Sequence, residues 1–441
     1  MTSFTEHQIK RERLMAELAA ARSSGAAVGL AKSTSNLFRR RAGAQKRKLD
    51  VRRFNQVLDV DRGRMLAQVE GMTTYEDFVN ATLAHGCLPT VVPQLKTITV
   101  GGAVSGVGIE SSSFRYGLVH ETVEELDVLL ADGSVVTCSR TQSPDLFFGF
   151  PNSYGTLGYA LRIVVKLIPA KRYVRVRHER FSNCAAFFAR IEDVCANDAD
   201  IDYLDGVVFD GSEMYATLGN FCDEAPRTSD YTYMRVYYRS IQEKREDYLT
   251  AKGYIWRWDT DWFWCSKHFY VQNPAVRMAA TKWLLNSRTY QRIMRLAQRT
   301  GPESDGTESV IQDVDIPIAK AEEFLRFLLS QIGITPIWIC PFRAWDRSVQ
   351  YDLYALDPNR TYVNFGFWDT VPTTREDGYF NRMIEAKALE LGGKKGLYSS
   401  AYYDEETFWN IYNGARYREL KKKYDPEGVF PDLYDKCVRR R

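Results

Sequence analysis

The stretch Thr99–Ser113, TVGGAVSGVGIESSS, carries four glycines and a run of three serines. Backbone without side chains lets another group lie against the main chain, and hydroxyls with freed amide N–H groups suit a ligand rich in oxygen. Two more polar loops stand in the same half of the chain. One is Lys32-Ser33-Thr34-Ser35-Asn36, just after the apolar Val28–Leu30; the other is SYGTLG at 153–158. Amides and hydroxyls from several loops can together hold a diphosphate. A dinucleotide fingerprint of the GxGxxG kind is absent, because Gly106-Val107-Gly108 runs into Ile109-Glu110-Ser111 and the third glycine is missing. Taken alone, the glycine cluster reads as a structural turn. Three such loops together favour a cofactor lying along a cleft.

The elements that must position these loops alternate over 26–170 as in an α/β domain. Residues 5–22 predict a helix with Ile9, Leu14, Met15 and Leu18 on one face. Strands are expected at Val28–Leu30, Gln56–Asp61 and Met65–Glu70. A capping box, Thr73 with Glu76, should open a helix that ends at Gly86. ELDVLLADGSVVTC reads as a hairpin turned at Asp132-Gly133, a helix begins near Ser143-Pro144-Asp145, and YALRIVVKLIP is a buried strand. From about 171 the chain grows dense in aromatic and charged residues, and 405–423 predicts one more helix.

Bulk numbers exclude several classes. A chain of 441 residues calls for two domains. With 59 basic and 56 acidic side chains its net charge is only +3, which gives no footprint for nucleic acid. No apolar run reaches the roughly 18 residues of a membrane span, and the charged N-terminus has no hydrophobic signal core. Eight cysteines occur singly with no CxxC, which predicts reduced thiols, no metal site and a cytoplasmic protein.

Residues 92–138, VPQLKTITVGGAVSGVGIESSSFRYGLVHETVEELDVLLADGSVVTC, resemble the FAD-binding half of vanillyl-alcohol-oxidase-type flavoproteins, and more narrowly the delta-24 sterol reductase (Diminuto/seladin) branch. The pattern continues in SPDLFFGFPNSYGTLGYALRIVVKLIPAKRYVRVR, VIQDVDIPIAKAEEFLRFL, PIWICPF and YYDEETFWNIYNGARYRELKKKYDPEGVFPDLYDK. The resemblance implies an α+β chain: a two-subdomain FAD-binding domain over 1–170, a substrate cap over 171–400, and a segment 401–441 returning to the FAD domain. It implies that Lys32, Ser33, Thr34, Ser35 and Asn36, with Thr99, Val100, Gly101 and Gly102, hold the FAD pyrophosphate. Gly106, Gly108, Glu110, Ser111 and Ser112 would follow the cofactor toward its ring system. Gly155, Thr156, Gly158 and the backbone at Ile163 and Val164 would line the ribityl and adenine side. Covalent members have a histidine in the first loop; 26–41 has none, so non-covalent FAD is expected. The sterol reductases begin with a membrane anchor, and none is expected from this sequence.

The implied reaction is reduction of an isolated carbon–carbon double bond in a lipid, with NADPH as reductant. A mid-chain methylene-branched acyl chain is the first expectation and a delta-24 sterol side chain the alternative. Oxidation of an alcohol or sugar, or flavin binding without turnover, are the competing classes. Such a reduction needs an acid in a greasy cavity. Candidates are Glu110, His268 and the tyrosines of GLYSSAYYDEE (Tyr398, Tyr402, Tyr403), with Glu110, Tyr402 and His268 put first. Trp256, Trp258, Trp262, Phe263 and Trp264 read either as cap core or as a lipid-lining or membrane-touching wall. The run Arg39, Arg40, Arg41, Lys46, Arg47, Lys48 reads as a solvated face or as an attraction for anionic lipid or reductant phosphates. Lys394 and Lys395 read as a surface loop or as positive charge near the flavin. Expected partners are a lipid substrate, a peripheral membrane contact and a lipid methyltransferase.

Overall fold

The computed structural model describes residues 3–25, 27–35, 37–39, 46–290, 292–293 and 306–439. Asn36, Arg40 and Arg41 lie outside them. Its strands are β1 (Val28–Ala31), β2 (Arg47–Asp50), β3 (Val57–Asp61), β4 (Leu66–Glu70), β5 (Cys87–Pro89), β6 (Val123–Leu129), β7 (Val135–Ser139), β8 (Tyr159–Pro169), β9 (Tyr173–Phe181), β10 (Tyr203–Asp210), β11 (Glu213–Cys222), β12 (Glu246–Thr250), β13 (Thr307–Pro317), β14 (Ile337–Phe342), β15 (Tyr362–Pro372) and β16 (Lys394–Lys395). A parallel pair, β1–β2, stands alone. A six-stranded sheet runs β3-β4-β8-β6-β7 with β5 also on β8, and an eight-stranded sheet runs β12-β9-β11-β10-β14-β15-β13-β16.

Pairs in both large sheets are antiparallel. The alternating pattern over 26–170 therefore does not build parallel βαβ units, and the class is α+β. Hairpins explain this. β6 and β7 are joined by the Asp132-Gly133 turn, where Gly133 takes φ 90°, a conformation that favours glycine. The chain passes from one sheet to the other between Pro169 and Tyr173.

The eight-stranded sheet is apolar on one face. Leu204 and Val208, Ile337 and Ile339, Val363 and Phe365, and Val314 and Ile316 alternate along their strands. They pack with the helices Cys184–Asn197, Ile318–Phe327 and Tyr379–Glu390 in one core. The other face carries Asp205, Trp338, Cys340, Asn364, Trp368, Asp313 and Asp315. Several of these join the core of the six-stranded unit.

Helix ends correct three expectations. The N-terminal helix spans Ser3–Ser23, but it buries His7, Lys10, Leu14, Leu18 and Ala21 and leaves Ile9 exposed. Its polar first turns face inward because Glu70, fully buried, binds Lys10 Nζ at 2.6 Å and His7 Nδ1 at 2.8 Å. The helix Tyr75–Leu83 is capped by Thr74, which accepts from Asp77 N, while Thr73 bonds the Gln56 carbonyl. The single C-terminal helix divides at Asn413 (φ 53°), whose side chain caps Gly414–Tyr424 after Glu405–Ile411 has ended. These helices return to the six-stranded unit: Lys423 and Tyr424 bond Asp145, and Lys421 Nζ donates to the Thr156 carbonyl.

The tightest joint is backbone on backbone. A Cβ on Gly71 would stand 2.0 Å from the Ala160 carbonyl oxygen, and one on Gly101 would stand 2.7 Å from the Gly71 oxygen. Gly71→Ala should therefore lower stability by on the order of 2 kcal/mol or more, read as a drop in melting temperature by calorimetry. An unchanged melting temperature would show that the joint can relax.

Candidate cofactor and active site

Several amides of the glycine-serine stretch have partners within the protein. Val100 N donates to the Thr73 carbonyl and Gly101 N to the Gly71 carbonyl, both at 2.9 Å, and Gly102 N donates to the Thr99 hydroxyl. These amides are engaged inside the protein. Gly106 packs on Gly102 O and the Tyr154 ring, Gly108 on Ala103, Val119 and Pro93, and Gly158 on Val128 and Leu129 O. Gly155, at φ 76°, turns the chain against Tyr159. Gly102 alone in the stretch's first turn is exposed.

The serines are buried too. Ser111 Oγ bonds Glu110 Oε1 (2.8 Å) and Tyr254 OH (3.1 Å), Ser112 Oγ donates to Thr90 O, and Ser113 Oγ accepts from Glu110 N. Thr156 Oγ1 donates to Ser153 O. Ile163 sits between Val69 and Leu126, and Val164 between Gln68 and Glu125, in the sheet ladder. Bare backbone here serves close packing, and one hydroxyl, that of Ser111, reaches the other unit at Tyr254.

A diphosphate needs cations, and they meet elsewhere. Lys436, on the short helix Leu433–Cys437, donates from Nζ to the Tyr154 carbonyl at 2.6 Å. Burial, then the charges of Arg39, Lys32 and Lys46, hold its pKa well below the usual lysine range. Arg39 is 6% exposed, stacks over the Tyr154 ring at 4.9 Å and donates to Leu397 O and Cys437 Sγ. The solvated-face reading fails for Arg39. Two buried hydroxyls at this place, Ser153 Oγ and Ser399 Oγ, have no hydrogen-bond partner. Crowded cations beside unpartnered hydroxyls fit a bound anion such as a diphosphate.

From this cluster the chain leads directly to the second sheet. Phe38 N donates to Tyr398 O at 2.9 Å, Phe38 and Ser399 form a parallel bridge, and the Phe38 ring meets both Tyr398 (5.9 Å) and Trp262 (5.5 Å). Trp368 Nε1 donates to Tyr398 OH. Asp313 lies at the same place: a Cβ on its neighbour Gly366 would meet Asp313 Oδ1, Trp368 and Trp338. Two residues along β13, Asp315 accepts from Tyr354 OH and Asn364 Nδ2, both at 2.7 Å. Burial first, and Asp315 second, push the Asp313 carboxyl up to about 8 against a hydrogen bond with Tyr398. Burial pushes Asp315 up to about 6 against its two donors. Around them stack Phe263 on Trp368 (4.2 Å) and Phe263 against Trp338 (5.7 Å). A carboxylic acid that is protonated at neutral pH, walled by aromatic rings, is suited to give up a proton.

The three acids that the sequence puts first occupy separate surroundings. Glu110 is buried with Arg257 Nη2 at 3.2 Å; that same nitrogen bonds Asp205 at 2.7 Å. Burial raises the Glu110 pKa, but its partners make it part of an ion cluster between the sheets. His268 is exposed and pairs with Asp369 at 3.2 Å. Tyr402 receives Arg382 over its ring and lies against Gly378, near the helix-covered face. Tyr398, named among the tyrosines, is the one beside Asp313. The acid pair escaped notice although VIQDVDIPI shows it: two carboxylates at i, i+2 on one face of an otherwise apolar strand. Lys394 and Lys395 are no surface loop. They form β16, with Lys395 buried on Glu385 at 2.7 Å and Lys394 pushed down to about 8 by burial. The five aromatics Trp256 to Trp264 are all buried, which leaves the core or wall reading and removes a membrane-touching one.

Comparisons with known proteins agree with a flavin site. The profile of the FAD binding domain family matches residues 10–139. The chain is 28% identical over 400 residues to Delta(24)-sterol reductase of Homo sapiens, covering 87% of this chain and 76% of that protein. It is 25% identical over 433 residues to Delta(24)-sterol reductase of Arabidopsis thaliana, covering 89% and 77%. Cytokinin dehydrogenase 7 of Oryza sativa subsp. japonica shares 37% over 141 residues, 31% of this chain and 27% of that protein. Among the described residues no helix is long and apolar enough to cross a membrane, and no group of His, Cys, Asp and Glu could hold a metal.

The cation cluster makes a testable cost. A lysine whose folded pKa is depressed destabilises the fold at pH values below the ordinary lysine range, and the cost falls away as pH rises toward it. Lys436→Met should raise the melting temperature of the cofactor-free chain at pH 7, with the gain shrinking toward pH 10.5. A lower melting temperature at pH 7 would place the stabilising weight on the Tyr154 bond instead.

Proposed function

We propose that this chain is a vanillyl-alcohol-oxidase-type FAD-binding oxidoreductase that reduces an isolated carbon–carbon double bond in a lipid. The named relatives favour a sterol-type side chain over the methylene-branched acyl chain that the sequence put first, since the relatives above include reductases of the former and none of the latter. Lys32, Arg39, Lys46 and Lys436, with Ser33, Thr34 and Ser35 of the first loop, would hold the FAD diphosphate. When bound, FAD supplies the hydride, drawn from NADPH.

The proton is the protein's share. An unactivated alkene has no carbonyl to take up developing charge, so an acid must act as hydride arrives. Asp313 holds such a proton at neutral pH. Tyr398 and Trp368 fix its surroundings, and Phe263, Trp338 and Trp368 exclude water. One hydride and one proton would add across the double bond, and Asp313, left as a carboxylate, would regain its proton from solvent between turnovers. The observation that carries this reading is the buried Asp313 carboxyl among the rings of Trp338, Trp368 and Phe263. Alcohol oxidation needs a base, and a carboxyl held neutral favours the reductive direction.

Asp313→Asn should lower turnover of a delta-24 sterol about a hundredfold or more, while anaerobic bleaching of the flavin by NADPH keeps its wild-type rate. In the wild type, turnover should fall as pH rises through about 8, where the acid loses its proton. The methylene-branched acyl lipid is run beside the sterol and identifies which alkene is accepted. Bleaching without turnover of either alkene, or a turnover rate that Asp313→Asn leaves unchanged, removes the reading.

A further inference from the structure

Exposed apolar side chains gather in one place. Ten large ones are exposed among the described residues, and six of these are Met234, Tyr270, Val276, Met278, Leu284 and Ile293. Tyr270 is 80% exposed and Met278 64%. Scattered apolar residues on a surface are ordinary, whereas a cluster marks a contact. This one rests on a firm base. Arg277, buried, binds both oxygens of Asp261 at 2.6 and 2.9 Å and donates to the Tyr233 carbonyl. Tyr233 OH in turn donates to Met278 O. Val276 and Met278, flanking Arg277 in the helix Pro274–Leu284, are thereby held outward.

Charge has the same bias. From Tyr270 to Ile293 the sequence contains four Lys or Arg and no Asp or Glu, and of the four only Arg277 is buried, on Asp261. Lys282, Arg288 and Arg292 are exposed amid the apolar side chains. Arg288 reaches a carboxylate, Glu76, only at 3.6 Å. Nucleic acid would take the cations but leave the apolar side chains unburied. A bilayer interface takes both: acyl chains receive Met278 and Leu284, and headgroup phosphates receive the cations.

We propose that the surface from Tyr270 to Ile293, with Met234, docks this chain onto an anionic lipid bilayer. The contact lies in the interfacial plane and spans nothing. On its inner side Tyr290 stacks on Phe269 (5.5 Å) and Trp262 (6.1 Å), and Trp262 meets Phe38. The docking surface is thus the outer side of the aromatic wall around the candidate site, which gives a lipid a short way in. The contact itself does not depend on which reaction the site runs.

Flotation of the purified flavin-loaded chain with vesicles tests it, without substrate. The chain should float with phosphatidylcholine vesicles containing phosphatidylglycerol, and much less with phosphatidylcholine alone. Met278→Glu with Leu284→Glu, and separately Lys282→Glu with Arg288→Glu, should each lower binding roughly tenfold. All four residues are exposed, and retained flavin absorbance and circular dichroism confirm folding. A wild-type chain that stays in solution, binds neutral vesicles equally, or loses nothing in the variants overturns the proposal. So does an apolar variant that converts a dimer to a monomer with vesicle binding unchanged, which would make the surface a contact between copies. Failure here leaves the reductase reading standing, and failure of turnover leaves this one.

Discussion

The structure depends on a seam three residues long. Phe38 and Arg39 lie along Leu397–Ser399 through one backbone bond, one bridge and one guanidinium bond to a carbonyl. These contacts tie positions some 360 apart in sequence, and everything chemical is arranged about them. On the Arg39 side Arg39 and Lys436 meet at Tyr154, and the charges of Lys32 and Lys46 bear on Lys436. On the Phe38 side the same strand of chain touches Tyr398, and through it the acid face of the cap sheet. Were the seam to slip by one residue, Arg39 and Phe38 would exchange directions, and charge would face the aromatic wall.

The two ends obey one rule with opposite outcomes. Removing a group from water disfavours its charged form. Lys436 is a cation so disfavoured by burial and by its neighbours' charges that an anion beside it would lower the free energy. Asp313 answers the same penalty by keeping its proton. The proposed cofactor diphosphate and lipid alkene would thus meet opposite environments at the two ends of the Phe38–Arg39 segment.

Much of the fold was legible because it rests on local signals. The Asp132-Gly133 hairpin, the β8 strand and the helix after Pro144 follow from turn chemistry and apolar periodicity. The site was less so. Glycines announce that backbone comes close to something, but sequence does not say whether that is a ligand or Gly71 and Ala160. Likewise Ser111, Ser112 and Ser113 look like ligand hydroxyls until their buried partners are known. Lys32 and Lys436 stand at opposite ends of the chain, and only tertiary packing brings them together. Asp313 and Asp315 did leave a trace, a pair of charges in register on an apolar strand, whose meaning appears once the opposite face is seen to be covered by helices. The helix at Ser3–Ser23 failed as a simple amphipathic stripe because a long-range carboxylate, Glu70, turns Lys10 and His7 inward.

The Arg257 guanidinium lies between Glu110, from the six-stranded unit, and Asp205, from β10 of the other. All three are almost wholly removed from water. Pulling such a triad apart would expose one buried charge to an apolar gap, a penalty on the order of several kcal/mol. The two units are therefore riveted at that point. Any opening between the two units has to keep this triad together or meet that penalty.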